Sequence, residues 1–545
     1  MTNLLQQLLE EQQDLTAVER FAQMHADGQL PAQQQYYSKL LPASPPAQGQ
    51  QFAFNVDLDK CSGCKACVTA CHSLNGLDDS ETWRDVGLLI GGTAELPIMQ
   101  HVTTACHHCI DPACATACPV NAYEKNPVTG IVKHLDDQCI GCQYCILACP
   151  YEVPKYNAAK GIVRKCDMCS DRLAVGEAPA CVQACPHEAI SIGVVNVDEV
   201  LESAGRGRLV ATAPDSNFTK PTTTYFSRKT VSSKLLAADS QILILQHAHW
   251  PLIIMLVLTQ LSIGMFATGL LTNLAGSQPL AAAIHATVAL LLGLLALGAS
   301  TCHLGRPLYA FRAVIGLRHS WLSREIVVFG GFAGAAVTYV CLSWLKLAPD
   351  FLPGVPAAMT SATGWSAVAI GLLGVFCSVM IYVFTQRQFW KFGQTATKFL
   401  LTCPILGIAT TWITLAVIAV ATGDERTHSF VVHVKPWFVA ALFLASLSKL
   451  TVEASLFAHL KHSGISQLKR TAKLMTSQLR NITLARFVAG TLGGVLLPVA
   501  TLLPLSDNTS LAVVATAFAG CVSGELLERY LYFTAVSPDK MPGAF

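Results

Sequence analysis

Charge is what this sequence has least of. Only 13% of its 545 residues are charged, and 37 Lys and Arg against 35 Asp and Glu leave a net charge of +2. So thin and balanced a charge carries no electrostatic footprint for nucleic acid, which is not expected as a partner. The N-terminus has no basic start followed by an apolar core and a small-residue cleavage site, and no twin-arginine pair. The expectation is that nothing in the chain exports its polar part by itself. Histidines at matching membrane depth are also missing. His285 has no counterpart at its own depth, and His247 and His249 lie towards the other side. Haem needs axial ligands at a suitable depth, so none is expected. What the chain does have is apolar bulk, 52% hydrophobic residues with a mean hydropathy of +0.44. Its length exceeds one ordinary domain, and part of it belongs in a bilayer.

The other abundance is cysteine, arranged in four ladders between Cys61 and Cys185. The first is Cys61-x2-Cys64-x2-Cys67-x3-Cys71, repeated by the third as Cys139-x2-Cys142-x2-Cys145-x3-Cys149-Pro150. The second is Cys106-x2-Cys109-x4-Cys114-x3-Cys118-Pro119, and the fourth is Cys166-x2-Cys169-x11-Cys181-x3-Cys185-Pro186. Three closely spaced thiolates wrap one cubane cluster, and the fourth ligates its neighbour. Zinc hooks pair across a longer gap without the terminal x3-Cys-Pro, and disulfide frameworks belong to small secreted domains. The sixteen cysteines therefore read as ligands of four [4Fe–4S] clusters.

Composition divides the chain into an extension and linker over 1–50, a cluster domain over 51–200, a connector over 201–240 and a membrane domain over 241–545. In the extension, Leu4, Leu5, Leu8 and Leu9 have helical spacing and Thr16-x-x-Glu19 resembles a capping box. The stretch from Pro42 reads as a linker. Eight apolar spans lie near 242–271, 279–302, 325–346, 363–385, 399–421, 437–459, 482–504 and 510–533. Each can cross a hydrocarbon core of about 30 Å. Segments on the cluster-domain side carry fifteen Lys and Arg, from Arg228, Lys229 and Lys234 through Arg306, Arg312 and Arg387 to Arg480. The opposite loops carry Lys346, Arg426 and Lys435 alone. That bias predicts an inner-membrane protein with the cluster domain and both termini in the cytoplasm, unless the basic loops serve docking.

Ionisable residues within spans are costly and mark function by default. His303 closes the second span and Glu325 opens the third. Lys449 and Glu453 are spaced i,i+4 in the sixth and can pair on one face. Arg486 lies early in the seventh and Glu525 late in the eighth. His303 and Glu325 read as a quinone site, with Arg306, Lys449 and Glu453 as further candidates. The structural alternative is a Lys449–Glu453 ion pair with Glu525 bonded to Arg486.

At His303-Leu304-Gly305-Arg306-Pro307 and Ser323-Arg324-Glu325-Ile326, together with the cysteine ladders, the chain resembles a family. Residues 57–190 resemble the four-cluster iron–sulfur subunit of the dimethyl sulfoxide reductase group of molybdoenzymes, and residues 240–535 its eight-helix anchor subunit. The resemblance implies an α+β double-ferredoxin-like domain fused to an all-α transmembrane bundle. It also implies that the first and fourth ladders share the clusters nearer a molybdopterin-containing catalytic subunit, and the second and third those nearer the membrane. Quinol from the membrane pool would be oxidised at His303 and Glu325. The same wire run in reverse from a formate-type dehydrogenase, and an ion-translocating anchor using Lys449 and Glu453, are the alternatives.

Overall fold

The computed structural model describes residues 23, 37–95, 97–205, 207–228, 235–347 and 356–543. The helical leucines, the Thr16–Glu19 box, Lys229 and Lys234 lie outside the described residues. The polar half opens with strand β1 (Gln50–Asp57), whose Phe52, Phe54 and Val56 pair antiparallel with Val194, Ile192 and Ile190 of β8 (Ile190–Asn196). Between them run α1 (Ala66–Leu74), β2 (Asp85–Gly92) and β3 (Pro97–Thr104), then α2 (Ala113–Ala117) and the hairpin β4–β5 (Tyr123–Lys125, Val132–His134). There follow α3 (Tyr144–Ala148), the hairpin β6–β7 (Lys155–Asn157, Ile162–Arg164), α4 (Ser170–Ala174) and α5 (Ala180–Gln183). Helix α1 packs on α5, and α2 on α3, giving two ferredoxin-like halves. Their cores are partly thiol: Cys67, Cys71, Cys106, Cys166 and Cys181 share one hydrophobic cluster, and Cys114, Cys118, Cys139 and Cys145 another. Helices this short hold no such core by propensity alone.

Among the described residues the apolar half contains eight helices long and apolar enough to cross a membrane. In chain order after α6 (Val197–Ala204) they are α7 (Trp250–Leu271), α8 (Pro279–Thr301), α9 (Trp321–Leu345), α10 (Ala357–Phe384), α11 (Phe392–Thr422) and α12 (Glu425–Lys461), then, past the short α13 (Gln467–Thr476), α14 (Arg480–Ala500) and α15 (Asp507–Thr534). Helix α7 is the hub, 78% buried and packed by α8, α10, α11 and α15. It touches α11 backbone to backbone: a Cβ on Gly264 would meet the Cys403 carbonyl oxygen at 1.9 Å. Small residues permit that approach where lipid supplies no hydrophobic drive between helices.

Several helix ends depart from the apolar runs. Helix α7 begins at Trp250 rather than near 242, α9 begins at Trp321, and α12 begins at Glu425. Hydropathy registers only apolar character: backbone hydrogen bonding carries α9 and α12 beyond their apolar runs, whereas the apolar stretch ahead of Trp250 is not helical. Glu325 is therefore a full turn inside α9 and does not open it. Arg426 and Lys435 are helical residues, not loop ones.

The loop from α8 to α9 joins the two halves. Arg306 N–H donates to the Ile140 carbonyl at 3.1 Å, Gly316 N–H to Pro119 at 2.8 Å, and Ser320 Oγ to Ala117 at 2.7 Å. At its closest point three glycines meet. A Cβ on Gly305 would lie 2.1 Å from the Gly161 carbonyl oxygen, and one on Gly141 2.9 Å from Gly305. Gly305→Val is expected to destabilise this junction by about 1–3 kcal/mol, the usual cost of overpacking. Hydrogen exchange should then quicken across 302–320 and 139–161 while the spans stay protected. Unchanged exchange there would mean that the glycines are not the tight point.

A candidate electron path and quinone cavity

The ladder loops explain why these spacings wrap a cluster. Gly63 and Gly141 take positive φ, as do Lys65 and Gln143 after the second cysteine of each ladder. Such alternation turns backbone N–H groups inward; Gly141 N lies 3.4 Å from Cys139 Sγ, and Met168 N 3.4 Å from Cys166 Sγ. The thiols fall into four sets. In the first, Cys61 lies beside Cys64, Cys67 and Cys185. In the second, Cys71 lies beside Cys169 and Cys181, with Cys166 next to Cys71. The third gathers Cys106, Cys109, Cys114 and Cys149, and the fourth Cys118, Cys139, Cys142 and Cys145. Each set takes three thiols from one ladder and one from another.

The donor chemistry fits clusters. All the cysteines are free thiols. Burial and neighbouring thiols push Cys71 up to about 12, a group that ionises only against positive charge such as iron supplies. Among the described residues no three His, Cys, Asp or Glu side chains converge on a single metal ion.

Along the chain of sets, Cys64 of the first is exposed while Cys142 of the fourth reaches the membrane half. There it lines a cavity of about 310 Å³ together with Tyr144, His249, His303, Glu325 and Tyr382, the remaining walls being mostly aliphatic. His303 Nε2 lies 3.3 Å from the Cys142 carbonyl oxygen. The His249 ring stands 5.0 Å from that of His303, and His247 4.7 Å beyond. Burial holds His303 below its usual value and takes His249 to about 3, so both are neutral imidazoles at neutral pH. Ser378 Oγ donates to Glu325 Oε1, and Tyr144 Oη to the Ile381 carbonyl at 3.0 Å.

Arg306 is not in this cavity. Its guanidinium donates to the Asp136 carbonyl at 2.9 Å, and Arg312 does the same to Asp137. Arg387 reaches the Leu147 carbonyl at 3.4 Å. Three of the fifteen basic residues therefore dock against the cluster domain.

Lys449 and Glu453 are not partners either. Lys449 pairs with Glu525 and, at 3.6 Å, with Glu528. Glu453 takes a forked pair from Arg486, 2.7 and 3.0 Å, and Arg486 also reaches Glu525 at 3.2 Å. Lys398 and Arg529 flank Glu528 at 3.8 and 3.2 Å. The i,i+4 expectation fails because carboxylates on α15 offer Lys449 closer partners than its own helix does. This network meets the cavity wall through rings: Arg529 stands over Phe399 and Tyr532, which lie 5.8 and 5.3 Å from Tyr382. Sequence reasoning also misses Tyr144, Ser378 and Tyr382, which carry no spacing signal, and takes His249 only as a haem candidate.

Comparison with known proteins matches this architecture. Residues 98–195 match a 4Fe-4S dicluster domain, and residues 246–534 the DMSO reductase anchor subunit (DmsC). The B subunit of the anaerobic dimethyl sulfoxide reductase of Escherichia coli K12 is 38% identical over 179 residues, 31% of this chain and 86% of that protein. Its Haemophilus influenzae counterpart is 35% identical over 181 residues, 32% and 87% respectively. The hydrogenase-2 operon protein HybA of Escherichia coli O157:H7 is 34% identical over 229 residues, 37% and 67%. With an iron–sulfur domain like that B subunit and an anchor domain in one polypeptide, the chain belongs to the dimethyl sulfoxide reductase family as a fusion of its electron-transfer and membrane-anchor subunits.

Proposed function

We propose that the chain oxidises membrane quinol at the His303–Glu325 cavity and delivers the electrons, through four [4Fe–4S] clusters, to a separate molybdopterin-containing subunit. The carrying observation is that one cavity is lined at once by neutral imidazole, carboxylate and a cysteine of the fourth set. Quinol oxidation releases two electrons and two protons. The clusters, when bound, supply one-electron acceptors in series. The chain's own part is to seat the ring against aliphatic walls, accept protons on His303 and Glu325, and keep Cys142 next to the ring. The exposed side of the first set, at Cys64, is where the catalytic subunit would dock. The remaining exposed basic residues of the cluster-side loops, among them Arg318, Lys391 and Lys473, support a cytoplasmic cluster domain in the inner membrane.

Iron content tests the cluster number: about sixteen atoms per chain follow from four cubes. Anaerobic stopped flow tests the direction, since quinol alone should bleach the clusters of the purified chain. Glu325→Gln should slow that bleaching roughly 10²-fold, the scale of a lost general base. A wild-type chain that stays oxidised under quinol favours the reverse reading, electrons entering quinone. The likeness to a hydrogenase-operon protein is the observation that keeps this second reading in view.

A further inference from the structure

Two cations are buried between the thiol sets, and the site described above does not use them. Lys165 is 3% exposed. Its Nζ donates to the Val132 carbonyl and, at 2.8 Å, to that of Cys166, and lies 3.5 Å from Cys106 Sγ. It thus stands where Cys166 of the second set lies beside Cys106 of the third. Arg84 is 2% exposed. It donates to Thr103 Oγ1 at 3.1 Å, and Thr103 Oγ1 is 3.6 Å from Cys67 Sγ of the first set. Cys181 of the second set also lies beside it. Its Nη2 has no hydrogen-bond partner among the described residues, and its charge otherwise faces the Phe54 ring at 4.6 Å. The third gap, between the third and fourth sets, holds the neutral Tyr123, flanked by Cys114, Cys118 and Cys145.

A buried charge without an opposite partner is costly. Carbonyls, a hydroxyl, an aromatic face, thiols and the buried imidazoles of His107 and His108 stand beside these two. A [4Fe–4S] cube held by four thiolates carries net negative charge and supplies the missing counter-ion. Adding an electron makes that charge more negative, and a nearby fixed cation in low dielectric favours the reduced form.

We propose that Arg84 and Lys165 raise the reduction potentials of the clusters they separate, Arg84 acting on the first and second sets and Lys165 on the second and third. They are positioning residues: neither binds iron or substrate. The second set, between both cations, is the one that responds to each. The chain thereby holds electrons in its interior, away from the quinone cavity.

The proposal rests on the four-cluster reading, and iron content separates the two: about eight irons per wild-type chain would end that reading before any potential is measured. At full iron, anaerobic potentiometric titration followed by electron paramagnetic resonance is run on wild type, Lys165→Met, Lys165→Arg and Arg84→Gln. The expected result is that two of four midpoints fall in Lys165→Met and two in Arg84→Gln, one of them common to both. Lys165→Arg should keep the wild-type midpoints. Midpoints that do not move at full iron, or four that move together, overturn the assignment. Should Lys165→Met lose iron, Lys165→Gln takes its place. Loss of iron in both, with retention in Lys165→Arg, would make Lys165 an assembly residue and overturn the assignment as well.

Discussion

Replacing His303 with leucine is expected to stop quinol-driven reduction of the clusters, by roughly 10²–10⁴-fold, while leaving iron content and membrane insertion intact. The tautomer of the ring decides its role. With the proton on Nε2, the ring donates to the Cys142 carbonyl at 3.3 Å, and Nδ1 is left as an acceptor. Quinol bound in the cavity offers hydroxyl protons, which must leave as the electrons do. A neutral imidazole has a lone pair on Nδ1 free to take the first of them. Leucine fills similar space, so the cavity and the thiol loop keep their shape. The carbonyl of Cys142 then loses a donor, a cost of about 1–3 kcal/mol that the loop's other hydrogen bonds withstand. Stopped flow with menaquinol or ubiquinol analogues measures the rate, and iron analysis and dithionite bleaching are the controls. His303→Gln, which retains an acceptor, should recover part of the rate. A wild-type rate in His303→Leu would move the proton acceptor to Glu325 or His249.

How much of this is legible in the sequence depends on the range of the interaction. The sixteen cysteines are local: C-x2-C starts and C-x3-C endings, three of the four followed by proline, announce cluster chemistry without any tertiary contact. His303 and Glu325 are legible because an ionisable residue at membrane depth is costly and marks function by default. Their shared site is expected as well, but not the route to it, which depends on the 302–320 loop folding back onto Ile140, Pro119 and Ala117. Arg306 shows the same limit from the other side. Its proximity to His303 in sequence suggests a shared site, but a 3₁₀ turn from Pro307 follows and its side chain faces Asp136. Lys398 reads as a loop charge because it lies at the start of an apolar run. In the fold α11 begins at Phe392, so Lys398 is already buried against Glu528. Glu528 and Arg529 carry no signal of their own, because a helical end rich in charge usually means solvent.

Those misread residues support the remaining prediction, that Lys449→Met destabilises the membrane domain by about 3–5 kcal/mol without stopping quinol oxidation. Lys449 is fully buried between Glu525 and Glu528. Removing it leaves Glu525 to Arg486, already forked onto Glu453, and leaves Glu528 to the more distant Lys398 and to Arg529. Two carboxylates three residues apart on α15 then face each other across a weakened screen. The network ties α11, α12, α14 and α15 together, so its loss should appear as a lower unfolding temperature in detergent. The coupling is specific, and a double-mutant cycle measures it: Lys449→Met with Glu525→Gln should lose less stability than the sum of the single changes. Quinol-driven bleaching at low temperature should remain near wild type, because Lys449 does not line the cavity and its network meets Tyr382 through the rings of Tyr532 and Phe399. An ion-translocating anchor makes the opposite forecast. In proteoliposomes it would lose proton movement on Lys449→Met while melting like wild type, and that pair of results would reassign the network from holding helices to carrying charge.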